Sequence, residues 1–88
     1  DKKEGEGKYY PIVRNVYLEN VKAEKAKYSL YIFGNENQSN VYSIFVFNSE
    51  FKNVKEKYMV KDAKNVWLKN VKINEELINN LDVSEELK

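Results

Sequence analysis

Asn15 to Val21 reads NVYLENV, Asn65 to Val71 reads NVWLKNV, and between them Ser43 to Ser49 reads SIFVFNS. A chain that says one short phrase three times must give each copy an equivalent environment, and repeats spaced by twenty to fifty residues mark solenoids and arrays. Overlaying the copies aligns Val13, Val41 and Ala63; then Val16, Ile44 and Val66; then Leu18, Val46 and Leu68; then Asn20, Asn48 and Asn70. The first interval is 28 residues and the second 22. A unit of that length holds two or three short strands with their turns, and it buries its apolar face only by stacking on a neighbour.

Side chains alternate along a strand. Strict alternation sends Val16, Leu18 and Asn20, with their counterparts, to the interior, and sends Tyr17, Phe45 and Trp67 outward with Glu19, Phe47 and Lys69. With copies stacked about 4.8 Å apart, Asn20, Asn48 and Asn70 then form an inward ladder of side-chain amides, each donating to the next carbonyl and so escaping the cost of an unpaired buried polar group. The alternative is that the three are ordinary turn residues pointing out.

A second strand follows in each unit, Tyr28 to Phe33 and Tyr58 to Val60, closed by Gly34 and by Asp62, with Leu30, Ile32 and Met59 as inward residues. Enrichment in Val, Ile, Tyr and Phe favours strand throughout, and NENQSN (residues 35–40) reads as a polar loop. Residues 1–8 read as a disordered or linker segment, residues 9–73 as the repeating β region and residues 74–88 as a tail. In that tail Asn74, Glu75 and Glu76 resemble a helix start with carboxylates at its positive end, and Leu77, Ile78 and Leu81 offer one face, which predicts a short helix.

Eighty-eight residues allow one small domain, burying roughly 60% of its unfolded surface. There is no cysteine to staple it. Fifteen lysines and arginines against fourteen acidic residues give no electrostatic reason to expect a nucleic-acid or membrane partner. The absence of histidine and cysteine, and of any calcium-loop spacing of carboxylates, argues against a metal or cofactor site. No hydrophobic signal segment is present, and the chain starts at Asp1 without methionine, which reads as a processed product, an excised domain or a recombinant piece.

The series PIVRNVYLENV, AKYSLYIFG, VYSIFVFN and KNVWLKNVKIN resembles the last coils of a right-handed parallel β-helix, and is most similar to the C-terminal end of the polygalacturonase-like glycoside hydrolases, family 28. The resemblance covers residue 9 to about residue 78, and its phrase is shared with pectate lyases and phage tailspikes. It implies an all-β fold of about three coils, a parent enzyme acting on pectic polysaccharide, and an extracellular or periplasmic location. The family hydrolyses with inversion through three aspartates on Asn-Thr-Asp and Asp-Asp motifs, with a Gly-His-Gly histidine and an Arg-x-Lys pair for the sugar carboxylate. None of these motifs occurs here: Asp1, Asp62 and Asp82 stand apart, and the single arginine, Arg14, has no lysine two residues on. Inverting hydrolysis needs two carboxyl groups about 6.5–9.5 Å apart, and Glu24, Glu36, Glu50 and Glu56 lie in lysine-rich polar stretches that read as solvated surface. No catalytic residue is expected in this chain.

Three roles remain open. The first is a non-catalytic scaffold that prolongs and closes a hydrolase solenoid. The second is a carbohydrate-binding module using the outward aromatics Tyr17, Phe45 and Trp67, which otherwise serve only to stabilise the sheet. The third is a structural unit for self-association. The expected partners are upstream coils of a longer chain or a second copy of this one, with a polysaccharide as the remaining candidate.

Overall fold

A computed structural model of the chain describes residues 11–85, and these fold as β structure with one short 3-10 turn. The strands are β1 (Val13–Glu19), β2 (Lys22–Ala23), β3 (Ala26–Phe33), β4 (Val41–Phe51), β5 (Val54–Lys61), β6 (Lys64–Ile73) and β7 (Glu76–Asp82), and the turn spans Val83–Glu85. The larger sheet has the order β1-β4-β6-β7, with β2 also on β4; β3 and β5 form a second sheet. All pairings are parallel except β6 with β7, so the larger sheet is mixed, and the two sheets do not close into one.

The predicted register holds. Val16 lies beside Ile44 and Leu18 beside Val46, then Ile44 beside Val66 and Val46 beside Leu68. The second sheet has the same 28-residue offset, with Ala26 beside Val54 and Ile32 beside Val60. The drop to 22 residues in the next interval equals the length of the loop 35–40, which the second pass lacks. That loop is held by Asn40, whose buried side chain accepts from the Asn35 N–H at 2.7 Å and donates to the Pro11 carbonyl at 3.0 Å. Gly34 and Asp62 end their strands as neighbours, so close that a Cβ on Gly34 would stand 2.0 Å from the Asp62 carbonyl oxygen.

Strict alternation fails at fixed points. Asn15, Ser43 and Asn65 have φ of 54°, 60° and 51°, and Asn20, Asn48 and Asn70 have 60°, 48° and 55°. Asn53 and Glu75, with φ of 54° and 72°, continue the rhythm of one left-handed residue in every five. A left-handed residue turns the chain without advancing the alternation, so the buried positions step by three and then by two: Val41, Ile44, Val46, Ser49, Phe51, Val54. β6 repeats this with Val66, Leu68, Val71 and Ile73. The phrase Asn-Val-x-Leu-x-Asn-Val is therefore left-handed, in, out, in, out, left-handed, in. Asparagine suits its first and sixth places because it tolerates positive φ better than other side chains carrying a Cβ. Asn20, Asn48 and Asn70 accordingly point to solvent, which corrects the inward ladder; the residue after each goes inward instead.

The tail is likewise corrected. Asn74 and Glu75 are both left-handed, with φ of 51° and 72°, the backbone of a two-residue hairpin turn whose twist matches its strands. The chain therefore doubles back as β7 instead of starting a helix, placing Ile78 beside Val71 and Leu81 beside Leu68 while Leu77 remains exposed. The 3-10 turn packs on β6 and β5 and buries Val83 completely. Met59 is corrected too: Tyr58 and Val60 pack inward opposite Leu30 and Ile32, whereas Met59 lies beside the exposed Tyr31. The linker expected over residues 1–8 and the end of the tail lie outside the described residues.

The core is one-sided. Its buried apolar residues begin at Val41 and run to Val83, while the first pass supplies only partly buried Val16, Val21, Ala23, Leu30 and Ile32. Val13 and Leu18 remain 41% and 38% exposed. Hairpin and 3-10 turn cover one end of the stack; at the other, the outer edge of β1 pairs with no strand among the described residues.

Candidate functional site

The aromatic row of the larger sheet forms as its register requires, with Tyr17 beside Phe45 and Phe45 beside Trp67. Tyr17 and Phe45 stack at 5.2 Å between ring centroids with planes 10° apart. Phe47 joins them, its ring 6.3 Å from Tyr17 and 6.2 Å from Phe45. Trp67 carries the Lys69 ammonium 5.7 Å from its ring centroid. This geometry limits what the row can bind. A sugar stacks on an open ring face, but where Tyr17 and Phe45 lie parallel their facing sides are occupied by each other, and what remains is the far face of Tyr17 and the ring edges. Such a stack stabilises neighbouring strands through contacts worth about 0.2–1 kcal/mol per pair.

The asparagine row is part ladder. Asn70 Nδ2 donates to Asn48 Oδ1 at 2.8 Å, but Asn48 Nδ2 reaches the Glu19 carboxylate at 3.5 Å, with no bond to Asn20. Other asparagines complete the turns by replacing backbone. Asn74 Oδ1 accepts from the Val54 N–H and Asn74 Nδ2 donates to the Val54 carbonyl, each at 2.8 Å, and Asn53 Nδ2 donates to the Glu24 carbonyl at 2.8 Å. In this way Asn74 gives Val54 the partners that another strand would otherwise supply.

The carboxylates among the described residues have separate surroundings. Asp82 is structural, its Oδ1 accepting from the N–H groups of Val66 at 3.2 Å and Ser84 at 3.0 Å. Asp62 sits at φ 57° between β5 and β6, and shares a shallow surface depression with Glu36, Tyr42 and Lys64. Both carboxylates there are exposed to water. Glu76 is tied to Lys57 at 2.9 Å. Among the described residues no three His, Cys, Asp or Glu side chains converge as metal ligands do.

A second aromatic group lies on the β3–β5 sheet. Tyr28, Tyr31 and Phe33 run in contact, 5.1 Å and 5.0 Å between centroids and tilted by 37° and 32°. Tyr31 is 63% and Phe33 52% exposed. A depression at the start of the same sheet is lined by Lys25, Ala26, Lys27, Asn53 and Lys55. The signal for this grouping is present in the sequence, since the 28-residue offset that aligns the first strands also brings Lys27 level with Lys55. No family model, curated protein or solved structure matches the chain.

Proposed function

We propose that the chain forms the C-terminal coils of a right-handed parallel β-helix, a non-catalytic scaffold within a polygalacturonase-like glycoside hydrolase acting on pectic polysaccharide. Two features support the solenoid reading. The 28-residue offset is the same in both sheets, as successive turns of one helix require. The five-residue recurrence of left-handed residues puts their bends at matching points in each turn. The hydrolase assignment rests on the similarity of the residue phrases alone.

The observation that carries the scaffold role is the unequal finish of the two ends. The C-terminal end is closed by β7, Ile78 and the fully buried Val83, whereas the first pass leaves Val13, Tyr17 and Leu18 exposed along a strand edge that pairs with no other strand among the described residues. Terminal repeats of a solenoid need capping, and a free parallel edge recruits another strand. In this reading upstream coils take that place and carry the catalytic aspartates, and the parent is exported to reach its substrate. A second copy meeting the same edge is the alternative occupant, and would make the chain a self-associating unit.

The reading is tested on the coding sequence preceding Asp1 and on the chain itself. An in-frame extension of further N-V-x-Φ-x-N phrases bearing Asp-Asp and Gly-His-Gly is expected, together with no release of reducing ends from polygalacturonate by the purified chain. An in-frame stop directly upstream, or turnover that is lost on Asp62→Asn, refutes it.

A further inference from the structure

From Val13 to Val21 the chain is self-complementary about Tyr17. The core-facing residues stand in symmetric places, Val16 and Leu18 one position to either side of Tyr17 and Val13 and Val21 four positions to either side. Val16 and Val21 pack against the core, and Val13 and Leu18 lie beside the buried Val41 and Val46. The outer face carries Arg14, Tyr17 and Glu19, beside Tyr42, Phe45 and Phe47 of β4, so opposite charges flank the central ring. The outer edge of this strand is also open for hydrogen bonding. The Asn20 N–H donates to the Phe47 carbonyl at 3.2 Å, and the backbone groups of successive residues in an extended strand point to alternate sides. Counting back from Asn20, the N–H and C=O of Tyr17 and Glu19 therefore point away from β4, where no strand pairs among the described residues.

We propose that the outer edge of β1 pairs antiparallel with the same edge of a second copy of this chain, about a two-fold axis at Tyr17. Two identical edges can meet in two ways. A parallel meeting needs rotation about the strand direction, which turns the core face of one copy to the outer face of the other, whereas an antiparallel meeting rotates about the sheet normal and keeps like faces together. Residues directly opposite in an antiparallel pair share a face. A register centred on Tyr17 thus sets Val16 against Leu18 of the second copy and Val13 against its Val21, and the symmetry repeats each contact. A slip of one residue either way would set Val16 against Tyr17 or Glu19, core face against outer face. Tyr17 exchanges both backbone hydrogen bonds with its counterpart, the closely bonded pair of an antiparallel ladder. Arg14 is opposite the left-handed Asn20 of the second copy and so stands next to its Glu19, at both ends of the junction. Left-handed residues do not prevent such pairing, since β7 runs antiparallel to β6 past Asn70, at φ 55°, with the same register on either side. The pairing goes beyond the scaffold reading: it is a property of the 88-residue chain, and coils preceding that chain in a longer parent would take the same edge first.

The test is sedimentation equilibrium of the intact chain from low to high micromolar concentration. A reversible dimer with no larger species is expected, because a two-fold junction closes on itself. Arg14→Glu brings like charges together at both ends and weakens the dimer by about fivefold or more, as does Glu19→Arg. An equimolar mixture of these two variants makes every such contact opposite in charge again and restores association to the level of the unaltered chain. Register is read independently by disulfide trapping, since the chain has no cysteine. Tyr17→Cys places two cysteines in a pair with Cα atoms about 5.5 Å apart, within disulfide range, and is expected to form a linked dimer on mild oxidation faster than Asn37→Cys in the exposed loop. Arg14, Tyr17 and Glu19 are exposed, and an unchanged circular dichroism spectrum confirms that the variants fold. The proposal is overturned by a monomer at every concentration, which would leave the edge to a strand of a longer parent, and by assembly that keeps growing with concentration. It is equally overturned by a mixture that associates no better than its components, or by Tyr17→Cys linking no faster than Asn37→Cys. None of these results bears on the coding sequence before Asp1, so failure here leaves the scaffold reading separately testable.

Discussion

Replacing Asn48 in three ways separates the two reasons for an asparagine at that point of the repeat. Its backbone is left-handed at φ 48°, and its Oδ1 accepts from Asn70 Nδ2 at 2.8 Å while its own Nδ2 only grazes Glu19 at 3.5 Å. The ladder bond is exposed, so its loss costs about 0.5–1 kcal/mol, the lower part of the usual range. Alanine loses that bond and also carries its Cβ into the left-handed region, a further cost of about 1–2 kcal/mol, for a total of about 1.5–3 kcal/mol. Glycine loses the bond but takes the backbone without steric penalty, and its extra unfolded-state freedom costs only about 0.4–1 kcal/mol. The Asn48→Ala variant is therefore expected to melt about 4–8 °C below Asn48→Gly, since about 1 kcal/mol separates them in a domain of this size. Asn37→Ala, in the exposed loop, is the control and shifts stability by less than about 0.5 kcal/mol. Thermal denaturation followed by circular dichroism at one protein concentration provides the readout. Equal melting of the alanine and glycine variants would remove backbone conformation as the reason for the asparagine. Equal melting of Asn48→Ala and Asn37→Ala would remove both reasons at once.

At the hairpin, Glu75 occupies the second left-handed position at φ 72°, and a two-residue turn of this kind prefers glycine there. Glu75→Gly is expected to raise the melting temperature by a few degrees, as relief of about 1–2 kcal/mol of steric cost outweighs the entropic loss of about 0.5–1 kcal/mol; a lower melting temperature would show that the carboxylate matters to the turn. One residue earlier, Asn74→Ala removes both 2.8 Å bonds to the buried Val54 backbone and should cost about 2–4 kcal/mol, combining unpaired polar groups with a left-handed alanine. Urea denaturation checks it, and a loss under about 1 kcal/mol would mean that water replaces the amide at no penalty.

The sequence alone determined the strands and most of their partners. Apolar residues recurring at matched places in three copies allow one alignment that buries them all, and the pairs Val16, Ile44, Val66 and Leu18, Val46, Leu68 follow from it. It also determined which side Tyr17, Phe45 and Trp67 share, because between Val16 and Leu18 the chain is an uninterrupted strand with a period of two. Beyond Leu18 that rule broke, since alternation describes extended backbone and contains no residue of positive φ. Whether Asn20 continues the strand or reverses its local hand depends on its dihedral angle, which is decided when the neighbouring copies bend at the same level and hydrogen-bond around the bend. The tail was ambiguous for a related reason: Asn-Glu-Glu before apolar residues serves a helix start or a tight turn equally well, and the open flank of β6, with Val71, Leu68 and Val66 needing cover, selected the hairpin. The lysine and aromatic face of β3–β5 divides in the same way: Lys25, Lys27, Tyr28, Tyr31 and Phe33 lie within nine residues of one another, whereas only the stacking of β5 on β3 brings Asn53 and Lys55 beside them.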